Sequence, residues 1–179
     1  MGRKREISFK ETAAFHGHVC PGLAMGYRMA KSALRHLGDA RAEDEELVAI
    51  VENDACGVDA VQFLTGCTFG KGNLIFNDFG KQAYTFFHRA SGRAVRVIMA
   101  DNEGMRTWGS GDDQDKWVEW LLVAPEEEVV VVKEVDIPTP EYARIHKSVT
   151  CAFCGEGVME TRVRVRDGQF SCIPCAEGA

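Results

Sequence analysis

No apolar run in this sequence approaches the roughly 18 residues that a membrane span requires. The opening Met1-Gly2-Arg3-Lys4-Arg5-Glu6 lacks the apolar core of a signal peptide, and Met1-Gly2 is not followed by the Ser or Thr that favours myristoylation. These absences give the expectation of a cytoplasmic protein with no membrane partner. Positive charge is also in short supply. Lys and Arg number 21 against 27 Asp and Glu, and the formal net charge of −6 provides no general pull toward nucleic acid. Neither an internal repeat nor a low-complexity tract is present, which excludes repeat architectures. What remains is 179 residues, 45% hydrophobic and 27% charged, enough for one ordinary domain and a small appendage.

Seven cysteines stand against this plain background. In a cytoplasmic chain they point to metal or redox chemistry before disulfides. Cys20, Cys56 and Cys67 lie singly, whereas Cys151, Cys154, Cys172 and Cys175 form two tight pairs. Between the groups, Asp136-Ile137-Pro138-Thr139-Pro140 carries two prolines that block regular structure. The boundary is placed there, giving a core domain at 1–137 and a second domain at 138–179.

Phe15-His16-Gly17-His18-Val19-Cys20-Pro21-Gly22 brings two imidazoles and a thiol to the start of a helix. The helix shows in Leu23, Tyr27, Ala30, Leu34 and Leu37, spaced by three and four, with Gly38 as its stop. Pro21 suits the first helical position, so Cys20 falls at the N-cap, where free N–H groups and the helix dipole favour thiolate. Ser8 and Glu11 form a capping box for a preceding helix over about 8–16. A thiolate beside imidazoles is a soft metal site or a nucleophile; the plainer reading makes His16 and His18 turn residues and Cys20 a small buried one.

Leu47–Val51 has the length of a buried strand, and 58–64 reads as a helix. Asp54 and Cys56 then occupy a strand-to-helix turn, where open α/β sheets place ligands. The expected core site is a metal shared by His18, Cys20 and Cys56, with His16 as reserve ligand and Asp54 as reserve ligand or imidazole partner. Should the site be catalytic, Cys20, His18, Cys56 and Asp54 are its acting groups. The shared site requires the two sulfurs to lie within roughly 6 Å. Thr65-Gly66-Cys67-Thr68-Phe69-Gly70-Lys71-Gly72-Asn73 is not a Walker loop, and Cys67 and Lys71 are expected to line the site without ligating. Segments 74–76, 83–88, 94–99 and 129–135 read as strands, Asp112-Asp113 as the start of a helix bearing Trp117, Trp120 and Leu121, and His88 as structural. The clusters Glu43–Glu46 and Glu126–Glu128 read as solvated.

Cys151-x2-Cys154 and Cys172-x2-Cys175, seventeen residues apart, form a tetrathiolate zinc pattern. So short a domain cannot otherwise build a core, so one structural zinc per chain should hold it. Arg162, Arg164 and Arg166 alternate with Val163 and Val165 as on a hairpin strand turning at Asp167-Gly168.

Taken together, Phe15–Gly22, then Asp54-Ala55-Cys56-Gly57-Val58-Asp59-Ala60, then Thr65–Leu74 resemble the FmdE family, named for a component of formylmethanofuran dehydrogenase, over most of 8–135. The Cys-x2-Cys tail resembles that of its longer members. The resemblance implies an α+β protein: a thioredoxin-like core with a mixed sheet flanked by helices, and a treble-clef or ribbon-type zinc finger. It also implies a metal-binding active site formed by the His and Cys motifs, and subunits of a molybdenum or tungsten oxidoreductase as partners. The core holds no Cys-x2-Cys of redox type, so a thioredoxin-like fold would not imply disulfide exchange. A homodimer is expected. Two functions stay open: an accessory protein of such an oxidoreductase, or a stand-alone enzyme using zinc or another soft metal at His18, Cys20 and Cys56. A closed four-ligand site favours the first, and three ligands with an open position favour the second.

Overall fold

The computed structural model describes residues 6–38, 41–111 and 113–178. The 1–5 opening and Asp112 lie outside them. The chain forms two compact units, Met1–Tyr142 and Ala143–Ala179. The division comes after Tyr142 rather than after Ile137 because Arg89 holds the intervening segment to the first unit. Its guanidinium donates to the carbonyl oxygens of Pro140 at 2.7 Å and Glu141 at 3.0 Å, and stacks over the Tyr142 ring.

The first unit runs α1 (Phe9–His16), α2 (Pro21–Leu37), β1 (Leu47–Val51), α3 (Gly57–Thr65), β2 (Leu74–Phe76), β3 (Ala83–His88), β4 (Arg93–Met99), α4 (Glu103–Gly109), α5 (Gln114–Val123), α6 (Glu126–Val129) and β5 (Val130–Val135). Ser8 and Glu11 form the capping box of α1, and Gly17 ends it in the left-handed region at φ 100°. Cys20 is the N-cap of α2 and Gly38 its left-handed C-cap. Leu23, Tyr27, Ala30 and Leu37 are buried along one face of α2. Arg28, also buried, turns its charge to use: it donates to the carbonyl oxygens of Leu121 and Ala124, the unpaired end of α5. Two helices were not expected from the sequence. Helix α4 has no apolar period to announce it, and is started by Asn102, whose Oδ1 accepts the Met105 N–H at 2.9 Å. Glu126–Glu128 begins the short helix α6, with Glu127 and Glu128 exposed as expected and Glu126 paired to Arg35.

The sheet has the order β2-β1-β3-β4-β5; β1 and β2 are parallel and every other pair is antiparallel. Alternation divides its faces. Leu47, Ala49, Val51, Tyr84, Phe86, Val95 and Val97 pack in one cluster with α2, α3 and α5. Val48, Phe87 and Ala94 face the other way, in a small cluster with Ile75, Val135 and Ile137 and no helical residue. The mixed sheet is thus flanked by helices, as expected, and they pack against the face that carries the larger cluster. On the opposite face Arg96 grips Glu52 through both carboxylate oxygens. Among the described residues no helix is long and apolar enough to cross a membrane.

The second unit pairs β6 (Ser148–Thr150) with β7 (Gly157–Met159), passes a 3₁₀ turn at Glu160–Arg162, pairs β8 (Arg164–Arg166) with β9 (Gln169–Ser171), and ends on α7 (Ile173–Glu177). Asp167 and Gly168 both have positive φ, 50° and 74°, as a tight hairpin turn requires. Arg162 belongs to the 3₁₀ turn, so only Arg164 and Arg166 alternate on the strand.

Candidate metal centres

Three helix ends meet in the core unit: the last residue of α1, the N-cap of α2 and the N-cap of α3. The close approach of α2 to α3 depends on glycine. A Cβ on Gly26 would lie 2.3 Å from both the Cα and the carbonyl oxygen of Gly57, well inside contact distance. A Cβ on Gly22, one turn earlier, would already touch the Cys56 Cβ at 3.4 Å. Helix α1 docks on α3 through the stacked rings of Phe15 and Phe63, 5.1 Å between centroids.

This packing brings one ligand atom from each of His16, His18, Cys20 and Cys56 within 4.8 Å of the other three. The Cys20 and Cys56 sulfurs thus meet the 6 Å requirement, and His16, the reserve ligand, stands in the cluster with His18. Cys20 Sγ also accepts the Leu23 N–H at 3.4 Å. His18 is exposed and the other three are half-buried. Burial, and then the Cys20 thiol beside it, raise the Cys56 thiol above its ordinary value. Two sulfurs so close resist joint ionisation unless a cation joins them.

His16 carries the clearest sign that the group suits a cation. Its Nδ1 lies 2.7 Å from Asp59 Oδ2. A carboxylate accepts, so Nδ1 carries a proton, and in the neutral ring the lone pair is then on Nε2. That Nε2 is buried and, among the described residues, has no hydrogen-bond partner. A carboxylate bracing the far nitrogen of a metal-binding imidazole is the usual support for such a ligand. Sequence reasoning missed Asp59, although it lies three residues past Cys56 and hence on the same helix face. Asp54, expected in that role, is exposed at the strand-to-helix turn and outside the cluster.

Cys67 and Lys71 do not line this site. Cys67 is fully buried, its Sγ donates to the Leu47 carbonyl at 3.3 Å, and burial pushes its thiol up to about 11. Lys71 Nζ donates to the carbonyl oxygens of Ala42, Glu43 and Asp44, tying down the acidic turn that read as solvated. The glycine-rich loop is a structural clasp. At the other end of α2, a cavity of about 860 Å³ is lined by Ile7, Lys31, Leu34, Arg41, Glu43 and Leu64, among others.

In the second unit, the four sulfurs of Cys151, Cys154, Cys172 and Cys175 all lie within 4.8 Å of one another. Those of Cys154 and Cys172 are 3.9 Å apart, against about 3.8 Å for two corners of a tetrahedron with Zn–S near 2.3 Å. Backbone N–H groups point at the sulfurs, Cys172 N–H to Cys151 Sγ at 3.3 Å and Cys175 N–H to Cys172 Sγ at 3.5 Å. The N–H groups of Cys154, Cys172 and Phe153 lower the Cys151 thiol to about 6, while Cys172 raises Cys175 to about 12. Four thiolates at this spacing need a dication, and a closed four-sulfur set suits structural zinc.

The family model described as "FmdE, Molybdenum formylmethanofuran dehydrogenase operon" matches residues 15–131, and "Prokaryotic dksA/traR C4-type zinc finger" matches residues 145–179. A relative from Archaeoglobus fulgidus, named "Probable S-adenosyl-L-methionine-binding protein", is 37% identical over 188 residues, covering 90% of this chain and 50% of the relative. The chain thus spans about half the length of that relative. The crystal structure of a tungsten formylmethanofuran dehydrogenase FmdE-like protein from Syntrophus aciditrophicus is similar at a TM-score of 0.75 and 27% identity, covering 100% of this chain and 98% of that one. The first match takes in well over half the chain, and the fold is shared along its whole length: the chain belongs to the FmdE family and carries a four-cysteine zinc finger over residues 145–179.

Proposed function

We propose that this chain is a metal-binding accessory protein of a molybdenum or tungsten oxidoreductase system. The His16, His18, Cys20 and Cys56 cluster is its working metal site, and the four-cysteine finger is structural. The observation that carries the reading is the buried, unpartnered Nε2 of His16, braced through Nδ1 by Asp59 and surrounded by three further donors within 4.8 Å. Two imidazoles and two thiolates suit zinc among common metals. When bound, such an ion supplies a closed centre tying three helix ends together. Four donors fill a tetrahedron, which favours holding or handling metal over catalysis at an open position. The enzyme alternative needs His16 off the metal, and the Asp59 contact weighs against that.

The strand order β2-β1-β3-β4, with β3 alone running against the other three, supports reading the core as thioredoxin-like. Cytoplasmic residence, a homodimer and oxidoreductase partner subunits belong to the same proposal. Elemental analysis tests its centre: wild type should carry two zinc ions per chain and Cys20→Ala one. Equal content in the two proteins would sink the core site.

The name of the Archaeoglobus relative adds S-adenosyl-L-methionine as a second reading. The 860 Å³ cavity favours it, having the volume of a small-molecule site and a lining of both charge signs that suits a zwitterion. Calorimetric titration with S-adenosyl-L-methionine decides: binding weakened by Arg41→Ala supports the cavity, and the absence of heat removes the reading.

A further inference from the structure

We propose that Cys20 and Cys56 form a reversible disulfide when the core metal is absent, so that oxidation controls whether the site can bind. The two sulfurs lie within 4.8 Å of each other. A disulfide bond is about 2.0 Å long, so less than about 3 Å of side-chain movement closes it. The two helix starts are held close, because the Gly26 and Gly57 backbones pack against each other and Gly22, two residues past Cys20, lies beside Cys56. Both thiols are half-buried, and a small oxidant can reach them. Cys67, the other thiol of the core unit, is fully buried with its Sγ bonded to the Leu47 carbonyl, and stays reduced.

A low-molecular-weight disulfide is sufficient oxidant. One core thiolate attacks a sulfur of that disulfide, forming a mixed disulfide and expelling one thiolate. The second core thiolate attacks the cysteine sulfur of the mixed disulfide, closing the Cys20–Cys56 bond and expelling the second. The two protons from the cysteines end on the two expelled thiols; the protein loses two electrons and the small disulfide gains them. The closed bond removes two of the four donors, so disulfide and metal exclude each other. That exclusion rests on the metal reading proposed above, whereas formation of the disulfide does not.

The test uses the full chain in two metal-poor forms, the double variant His16→Ala, His18→Ala and wild type dialysed against nitrilotriacetate, beside wild type given two equivalents of zinc. Each is incubated with oxidised glutathione, blocked with N-ethylmaleimide and mapped by mass spectrometry. The expected result is a Cys20–Cys56 linked peptide, 2 Da lighter than the two reduced peptides, in both metal-poor forms and reversed by dithiothreitol. Its formation should slow at least tenfold with zinc. Labelling of Cys67 identifies a misfolded sample, and the other metal-poor form then decides. Metal-poor protein in which Cys20 and Cys56 end as separate adducts, with no link, overturns the inference. A link that forms equally fast with zinc leaves the disulfide standing and overturns the metal reading instead.

Discussion

Replacing Asp59 by alanine should weaken the core metal site 10- to 100-fold while leaving the finger untouched. The carboxylate sits 2.7 Å from His16 Nδ1, a charge-assisted length, and it fixes both the ring and its proton. The His16 side chain is only 9% exposed, so water cannot fully replace the lost acceptor. Loss of such a brace under a metal-bound imidazole costs about 10- to 100-fold in affinity, or about 1.4 to 2.7 kcal/mol. Asp59 itself is 41% exposed, so its removal should cost the metal-free fold under about 1 kcal/mol. Competition against a chromophoric zinc chelator separates the two sites, with Cys20→Ala reporting the finger alone. If Asp59→Ala binds as wild type does while Asp54→Ala binds weakly, the geometry has been misread and Asp54 is the working carboxylate.

Gly26→Ala should cost about 1–3 kcal/mol of stability, read as a lower urea midpoint, because its Cβ would stand 2.3 Å from Gly57 and force the helices apart. An unchanged midpoint would mean that α2 and α3 slide freely. Arg96 holds the Glu52 carboxyl below its ordinary 4.5, so its contribution is complete above the unfolded value and fades as pH falls through the lower folded one. Glu52→Gln should therefore cost about 1.5–3 kcal/mol at pH 7 and progressively less as pH falls below the unfolded carboxyl value, and a gap between the urea midpoints that does not narrow with acid refutes this. Cys151→Ser, or a strong chelator, should unfold residues 143–179 and spare the core unit, since zinc supplies roughly 10 kcal/mol to such a small domain. Limited proteolysis checks this, and a protected tail in chelator would overturn it.

Much of the fold was legible wherever a local rule sufficed. Ser8, Cys20, Gly38 and Asp113 mark helix ends by side-chain or backbone chemistry that neighbours in sequence already display. The strands at 47–51, 83–88 and 93–99 carry runs or alternation of their own. Helix α4 was missed because its start depends on one Asn102 hydrogen bond and its sequence, holding two glycines, has no apolar stripe. Which residues face the helices was beyond reach. Val48, Phe87 and Ala94 are as apolar as the residues facing the helices, and only the long-range register assigns them to opposite faces.

The candidate metal centres divide along the same line. The finger was readable to the residue, since each knuckle is four residues long and makes its own N–H to sulfur contacts. That His16, His18 and Cys20 lie together could be anticipated because they fall within five residues. Cys67 and Lys71 were misassigned for the converse reason. A glycine-rich loop advertises conformational freedom, but nothing local tells whether that freedom serves a ligand or, as here, lets Lys71 clasp three carbonyls of a turn 27 or more residues away. Cys56 joins the cluster because Gly26 and Gly57 both lack side chains at the crossing of α2 and α3. Each is an unremarkable helical glycine when read alone. The backbones can approach only when Gly26 and Gly57 are both small, and that approach brings Cys20 and Cys56 together at the start of both helices. It also places Asp59, one turn into α3, against His16. The chemistry of the site is thus written in its histidines and cysteines, but its geometry is written in residues with no chemistry of their own.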